Sequence, residues 1–248
     1  MAMHVEPLSA APRVLVWDLS IRVLHAVFAG GMIAALALGF GLEEEHPWFA
    51  AHVAAGLMAG GALVLRLVLG VVGPRQARFA AWPLRPRDFV RWGQALWQRT
   101  PPDRLWAGHN PAASWVMLGI FGTAGALLLT GILDGDDVHE GLAVAMLALI
   151  GAHLAGLAVH TFHARENIAL AMLDGRKRAP APAALRSHGW LGGVLVAALL
   201  AGWAGWIWRG TDLARGTVSL PGWEFRSEAP EGASSKQHAH DRKDHDDD

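Results

Sequence analysis

The side chains in this sequence best able to do chemistry are its histidines. There are thirteen, with no Cys at all. Without thiolates, disulfides, Cys-ligated zinc, Cys-held iron–sulfur clusters and covalent c-type heme attachment are all excluded. Six His lie on or beside long apolar stretches: His25, His52, His139, His153, His160 and His163, with His46 at the entrance to another. An ionisable group in an apolar span is costly to place there, so each is a candidate for function. His139 and His153 are 14 residues apart, about four helical turns less roughly 40°, so they share one face about 21 Å apart along the axis. Two imidazoles so placed can each supply one axial bond to a flat iron macrocycle, with a second imidazole arriving from another helix at the same depth. The bland alternative is a set of hydrogen-bonded core histidines. A lone His is best explained that way, and four His at two matched depths are not.

The elements that must position these groups are membrane helices. The chain has 248 residues, 52% hydrophobic and 17% charged, with a mean hydropathy of +0.26 despite a polar last forty residues. An ordinary soluble domain carries about 25% charged residues. Five stretches reach the roughly 20 apolar residues needed to cross a bilayer: 20–41, 47–72, 113–133, 139–163 and 189–208. A spanning segment must satisfy its own backbone, so each is predicted to be a helix. The first starts about twenty residues in and lacks a short apolar region with a small-residue cleavage site, which reads as a retained span rather than a signal peptide.

Depth along these helices pairs the histidines. Measured from the outer end, His52 lies about 7 Å in and pairs with His139 at the mouth of the fourth helix. His25 lies roughly 24 Å down and His153 about 21 Å, whereas His160 at about 31 Å matches neither. The predicted pairs are therefore His52–His139 outside and His25–His153 inside. Arg66 follows His52 by 14 residues, which puts it at the inner level, where a guanidinium can hold a heme propionate. A guanidinium snorkelling to the nearby surface is the alternative. Gly30, Gly31, Gly56 and Gly156 would let a flat ring approach the backbone, or would serve close helix packing.

Charge sets the orientation. The 74–111 loop carries Arg75, Arg78, Arg85, Arg87, Arg91, Arg99 and Arg104 against Asp88 and Asp103. The 164–188 loop carries Arg165, Arg176, Lys177, Arg178 and Arg186 against Glu166 and Asp174. The opposite loops hold Glu43, Glu44 and Glu45, and Asp134, Asp136 and Asp137, with no Lys or Arg. Positive loops remain cytoplasmic, so the N-terminus is expected inside and the C-terminus outside. The expected organisation is a cytoplasmic N-terminus (1–19), a four-helix core (20–165), a cytoplasmic loop (166–188), a fifth helix (189–209) and a polar periplasmic tail (210–248) read as disordered. Within the 74–111 loop, Phe89, Trp92 and Trp97 among arginines predict a short interfacial helix.

These residues also carry a resemblance. VWDLSIRVLHAVFAG, the His52 helix running HVAAGLMAGGALVLRLVLGVVGPRQARF, GHNPAAS and HEGLAVAMLALIGAHLAGLAVHTFHARENIALAM look like the bacterial cytochrome b561 family over about residues 13–178. That family includes the cytochrome b subunits of nickel–iron hydrogenases and formate dehydrogenases. The resemblance implies an all-α membrane bundle with two b-type hemes, ligated at the positions matching His25, His52, His139 and His153. It also implies electron transfer between a periplasmic redox partner and membrane quinone. An Asn-x-Gly that helps hold quinone in the formate dehydrogenase relative corresponds to Asn110-Pro111-Ala112, where Asn110 matches and Ala112 departs. Asn110-Pro111 also reads simply as a helix cap.

The expected function is that of a di-heme membrane cytochrome in the bacterial inner membrane, its acidic outer loops suited to a basic partner such as a c-type cytochrome. A hydrogenase subunit would share the same core, and a superoxide-oxidising quinone reductase would need no protein partner. A His-lined metal transporter would need polar groups continuously across the membrane, and these are sparse between the two His levels. The fifth helix is expected to pack or to dock a partner, and His160 and His163 to lie at the interface or to relay protons.

Overall fold

The computed structural model describes residues 11–98, 106, 108–133, 136–164 and 166–227. Among these, β1 (Arg13–Leu15) leads into α1 (Leu19–Gly41) and α2 (Phe49–Val72), which form the first two spans. A short helix, α3 (Pro86–Trp97), precedes α4 (Pro111–Ile132) and α5 (Asp136–Ala164). A single turn, α6 (Ala171–Asp174), and β2 (Arg176–Arg178) come before the fifth span, α7 (Trp190–Gly210). All five predicted spans are thus helices of crossing length. Side chains set where two of them begin. Asp18 accepts the Ile21 N–H at 3.1 Å to open α1. Asn110 accepts the Ala113 N–H at 2.8 Å to open α4, with Pro111 in the first helical position. A cap of this kind is worth about 1 kcal/mol.

Two helix pairs build the bundle. α1 lies along α2 and α4 along α5, and α2 touches α4 between the pairs. α7 backs α1 and α2 from the other side: Val196 and Leu200 pack on Leu24 and Ala62, and the Trp203 indole N–H donates to the Leu57 carbonyl at 2.9 Å. The fifth helix therefore braces the first pair and does not enter the core. α5 stands apart, the most apolar of the five spans and the least buried. Its backbone follows α4 and has no extensive contact with α1 or α2. The central core joins Met32 and Leu36, Ala59 and Leu63, Ile120, Phe121, Ala124 and Leu127, and a fully buried Met146.

The arginine-rich end is closed by a cap. β1 pairs antiparallel with β2, Leu15 opposite Arg176. Gly175, at φ 77°, makes the left-handed turn that lets its carbonyl accept from both Val16 and Trp17. Val16, Trp17, Ile21, Ala77, Ala171 and Ala179 form the apolar interior. The N-terminal segment and the 166–188 loop are thus one fastened unit. In the 74–111 loop, α3 is the predicted amphipathic helix, with Phe89 and Trp97 exposed. Phe79 and Trp82 of the same loop instead turn into the core.

The polar tail needs a correction. Residues read as disordered from 210 onward include a three-stranded sheet of β3 (Thr211–Asp212), β4 (Thr217–Leu220) and β5 (Trp223–Arg226), in the order β3-β4-β5. Its apolar members Val218, Leu220, Trp223 and Phe225 pack against Ala50 and Ile207. Gly216 and Gly222 turn with positive φ. Strand alternation governs here, and the average polarity of the segment hid it. Residues 228–248, the rest of the predicted tail, lie outside the described part.

Candidate functional site

Near the acidic end, His52 of α2 and His139 of α5 face each other with ring centroids 6.0 Å apart and planes at 73°. Two imidazoles trans on one metal stand with their centres roughly 6 Å apart, given metal–nitrogen bonds of about 2 Å. Both rings are held at Nδ1. His52 Nδ1 is 2.8 Å from the Ala35 carbonyl, which can only accept, so Nδ1 carries the proton and Nε2 the lone pair. His139 Nδ1 is 3.0 Å from Thr130 Oγ1. That hydroxyl is 3.0 and 3.2 Å from the Ala126 and Leu127 carbonyls, so it donates into its own helix and accepts from His139. Among the described residues neither Nε2 has a hydrogen-bond partner, the arrangement of a metal-ligating His fixed by its outer hydrogen bond.

Glycines make room for these rings. A Cβ on Gly39 would come within 2.9 Å of the His52 ring, and one on Gly131 within 3.2 Å of His139. Gly31, by contrast, meets the α2 backbone at Ala55 and Ala59, so it serves helix packing. Gly30, Gly56 and Gly156 face open space. Phe49 stacks on His52 at 4.8 Å and leans on Phe225 of β5 at 6.0 Å, which joins the outer sheet to the imidazole pair.

Nearer the arginine-rich end, His25 of α1 and His153 of α5 lie within electrostatic range of each other. Arg66 is buried, at 8% exposure, so it does not snorkel. Its Nη2 donates to the Ala77 carbonyl at 3.1 Å. The guanidinium carbon lies 5.4, 5.7 and 5.5 Å from the Phe79, Trp82 and Phe121 rings. Among the described residues Arg66 makes no ion pair, and its Nη1 has no partner.

Three helices repeat the same seven-residue step between the levels: His25–Met32–Gly39, His52–Ala59–Arg66 and His139–Met146–His153. Each step keeps one face, drifting only about 20° per heptad. Met32, Ala59 and Met146 therefore form an apolar layer between the two imidazole pairs, and all three are buried. Among the described residues no three His, Asp or Glu converge as a metal cluster. His52 and His139 meet as a pair.

The remaining candidates divide simply. His46 accepts the Trp48 N–H at 3.1 Å and shapes the turn into α2. Asn110 spends its Oδ1 on the α4 cap. His160 lies far along α5, and the side chain of His163 is outside the described part. Sequence reasoning overlooked His109 and Trp82. His109 sits between two indoles, 5.1 Å from both Trp17 and Trp82. Its imidazole is pushed down to about 3, first by burial and then by the charges of Arg66 and Lys177. Lys177, buried and donating to the Gly108 carbonyl at 2.8 Å, is lowered to about 8 by burial, against the pull of Glu166. One signal was present: His109 is the only His in the whole 74–111 loop.

The arrangement provides one imidazole pair near the acidic end and His25 and His153 toward the other, with an apolar layer between the levels and a small sheet at each end. Compared with known families, residues 16–175 match the model described as prokaryotic cytochrome b561, a stretch that begins just after β1, takes in the first four spans and ends just before β2. No curated protein and no solved structure matches the chain.

Proposed function

The chain belongs to the prokaryotic cytochrome b561 family, and we propose that its four helix-borne histidines hold two b-type hemes, His52 with His139 and His25 with His153. When bound, each heme takes up and returns one electron at its iron. The outer pair carries this reading: two imidazoles 6.0 Å apart, each with Nδ1 engaged and Nε2 free. With two imidazoles on each iron there would be no coordination site left for oxygen, which favours electron transfer over oxygen activation. The Nδ1 hydrogen bonds to Ala35 and Thr130 fix ring orientation and raise ligand basicity. Arg66 supplies a buried positive charge for an inner propionate.

The chain works as an electron conduit in the bacterial inner membrane. Its arginine-rich end is cytoplasmic, by the positive-inside rule, and its C-terminal side periplasmic. Quinone is placed at the cytoplasmic end, beside Asn110 and the inner pair. A periplasmic redox protein, such as a c-type cytochrome or a hydrogenase, docks at the acidic end, where Glu43, Glu44 and Glu45 suit a basic surface. The test is a reduced-minus-oxidised spectrum with pyridine hemochrome quantification of the purified protein. Two hemes b per chain are expected. None would overturn the assignment, and one would remove a pair.

A further inference from the structure

Among the described residues, four buried polar side-chain atoms have no hydrogen-bond partner: Arg66 Nη1, Trp82 Nε1, His109 Nδ1 and Gln76 Oε1. Three of their side chains adjoin. The Arg66 guanidinium is 5.7 Å from the Trp82 ring, and Trp82 and His109 have centroids 5.1 Å apart. His109 in turn lies within electrostatic range of Arg66, Lys177, His153 and His25, and Arg66 stands two heptads from His52, at the inner level. Arg66 and Trp82 are both more than nine-tenths buried. Leaving one buried donor unmade costs about 1–3 kcal/mol, and more when it is charged. Several such donors side by side point to a missing acceptor.

The chemistry of the donors selects that acceptor. An indole N–H only donates, and so does a guanidinium. The imidazole of His109 is neutral and donates once its proton sits on Nδ1. Gln76 is already fastened through its Nε2 to the Ala183 carbonyl at 2.6 Å, and its lone acceptor does not belong to the set. A quinone carbonyl could take one of the N–H groups, but it would leave the guanidinium's charge unpaired in a low-dielectric site. A carboxylate offers about four lone-pair sites and the opposite charge.

We propose that Trp82 and His109 complete, with Arg66, a buried clamp for one carboxylate, the propionate of the inner heme. The proposal rests on the two-heme reading and deepens it. Trp82 and His109 are positioning residues: they fix the tilt and depth of the macrocycle through its side arm, while His25 and His153 bind its iron. Both arise from the 74–111 loop, so the cap at the cytoplasmic end becomes part of the heme site. The three aromatic rings around Arg66 hold its charge in place until the carboxylate arrives.

The test is a redox titration of the holoprotein as wild type, Trp82→Phe and Arg66→Met, with heme counted in each. Trp82→Phe keeps the ring and deletes only the N–H. A propionate stripped of a donor stabilises ferric iron, so the inner midpoint potential should fall while the outer one stays. Arg66→Met should lower it further. A second arm reconstitutes heme-free protein with protoheme or its dimethyl ester. The ester should bind the inner site about tenfold or more weakly, as the loss of a charge-assisted hydrogen bond implies. That preference should shrink in Arg66→Met. Without heme, Arg66→Met should be at least as stable as wild type, because an unpaired buried cation is removed.

An unshifted inner potential with two hemes present, together with equal binding of acid and ester, would overturn the clamp alone. So would loss of quinol-driven heme reduction in Trp82→Phe with the inner potential unchanged, which would assign the donors to a quinone carbonyl. A wild type lacking the inner heme would overturn the parent reading.

Discussion

At the acidic end, His52 and His139 are each fixed by a hydrogen bond at Nδ1 and seated against a glycine on a neighbouring helix. At the arginine-rich end, charge and aromatic rings gather instead around His109: Arg66, Lys177, Trp17 and Trp82. At one end the imidazoles are held by their own hydrogen bonds; at the other, charge and aromatic rings dominate. The same seven-residue repeat on α1, α2 and α5 runs between these two environments.

The comparison breaks most sharply with the ligands themselves. His139→Ala should lose only the outer heme and His153→Ala only the inner one, each leaving one heme per chain by hemochrome assay. His160→Ala should keep both. Retention of two hemes in His153→Ala would mean that the inner ligand lies elsewhere. Next comes Gly39→Ala, whose methyl would press on the His52 ring within 2.9 Å. Outer heme occupancy should fall while the inner site stays full, as read by potentiometric titration.

Met146 stands between the two sites, so Met146→Ala should spare neither by preference. Truncating a fully buried Met costs about 2–5 kcal/mol, which should appear as a lower midpoint in thermal or denaturant unfolding in detergent, with heme stoichiometry unchanged. Lys177 sharpens the inner end. Its folded value of about 8 lies below its ordinary 10.5, so between these pH values the unfolded chain holds more protons and stability rises with pH. Lys177→Met should flatten that rise relative to wild type when unfolding is followed at pH 8 and pH 10. Thr130→Val should act most gently. Deleting an acceptor worth about 0.5–1.5 kcal/mol makes His139 less basic, so the outer potential alone should move upward.

The approach of His52 to His139 was legible in the sequence because helical periodicity converts residue number into face and depth. His139 and His153 could be placed on one side, and His52 and His25 matched to them, without knowing how the helices pack. Arg66 followed from the same arithmetic. What supports these imidazoles was not legible. Thr130 and Ala35 touch the imidazoles only because α4 meets α5 and α1 meets α2, and no spacing rule states that. Trp82 and His109 lie on an irregular loop whose path is set by the cap, and β1–β2 pairing joins residues more than 160 apart. The outer sheet was hidden by averaging: T-V-S-L and W-E-F-R are polar as composition and amphipathic as strands.

The central claim is that each of two depths holds one iron between two imidazoles. Low-temperature electron paramagnetic resonance of the fully oxidised protein tests it most directly. The account predicts two low-spin ferric signals in equal amount, one lost in His139→Ala and the other in His153→Ala. A single species, or a high-spin signal from an iron with an open coordination position in the wild type, would contradict it.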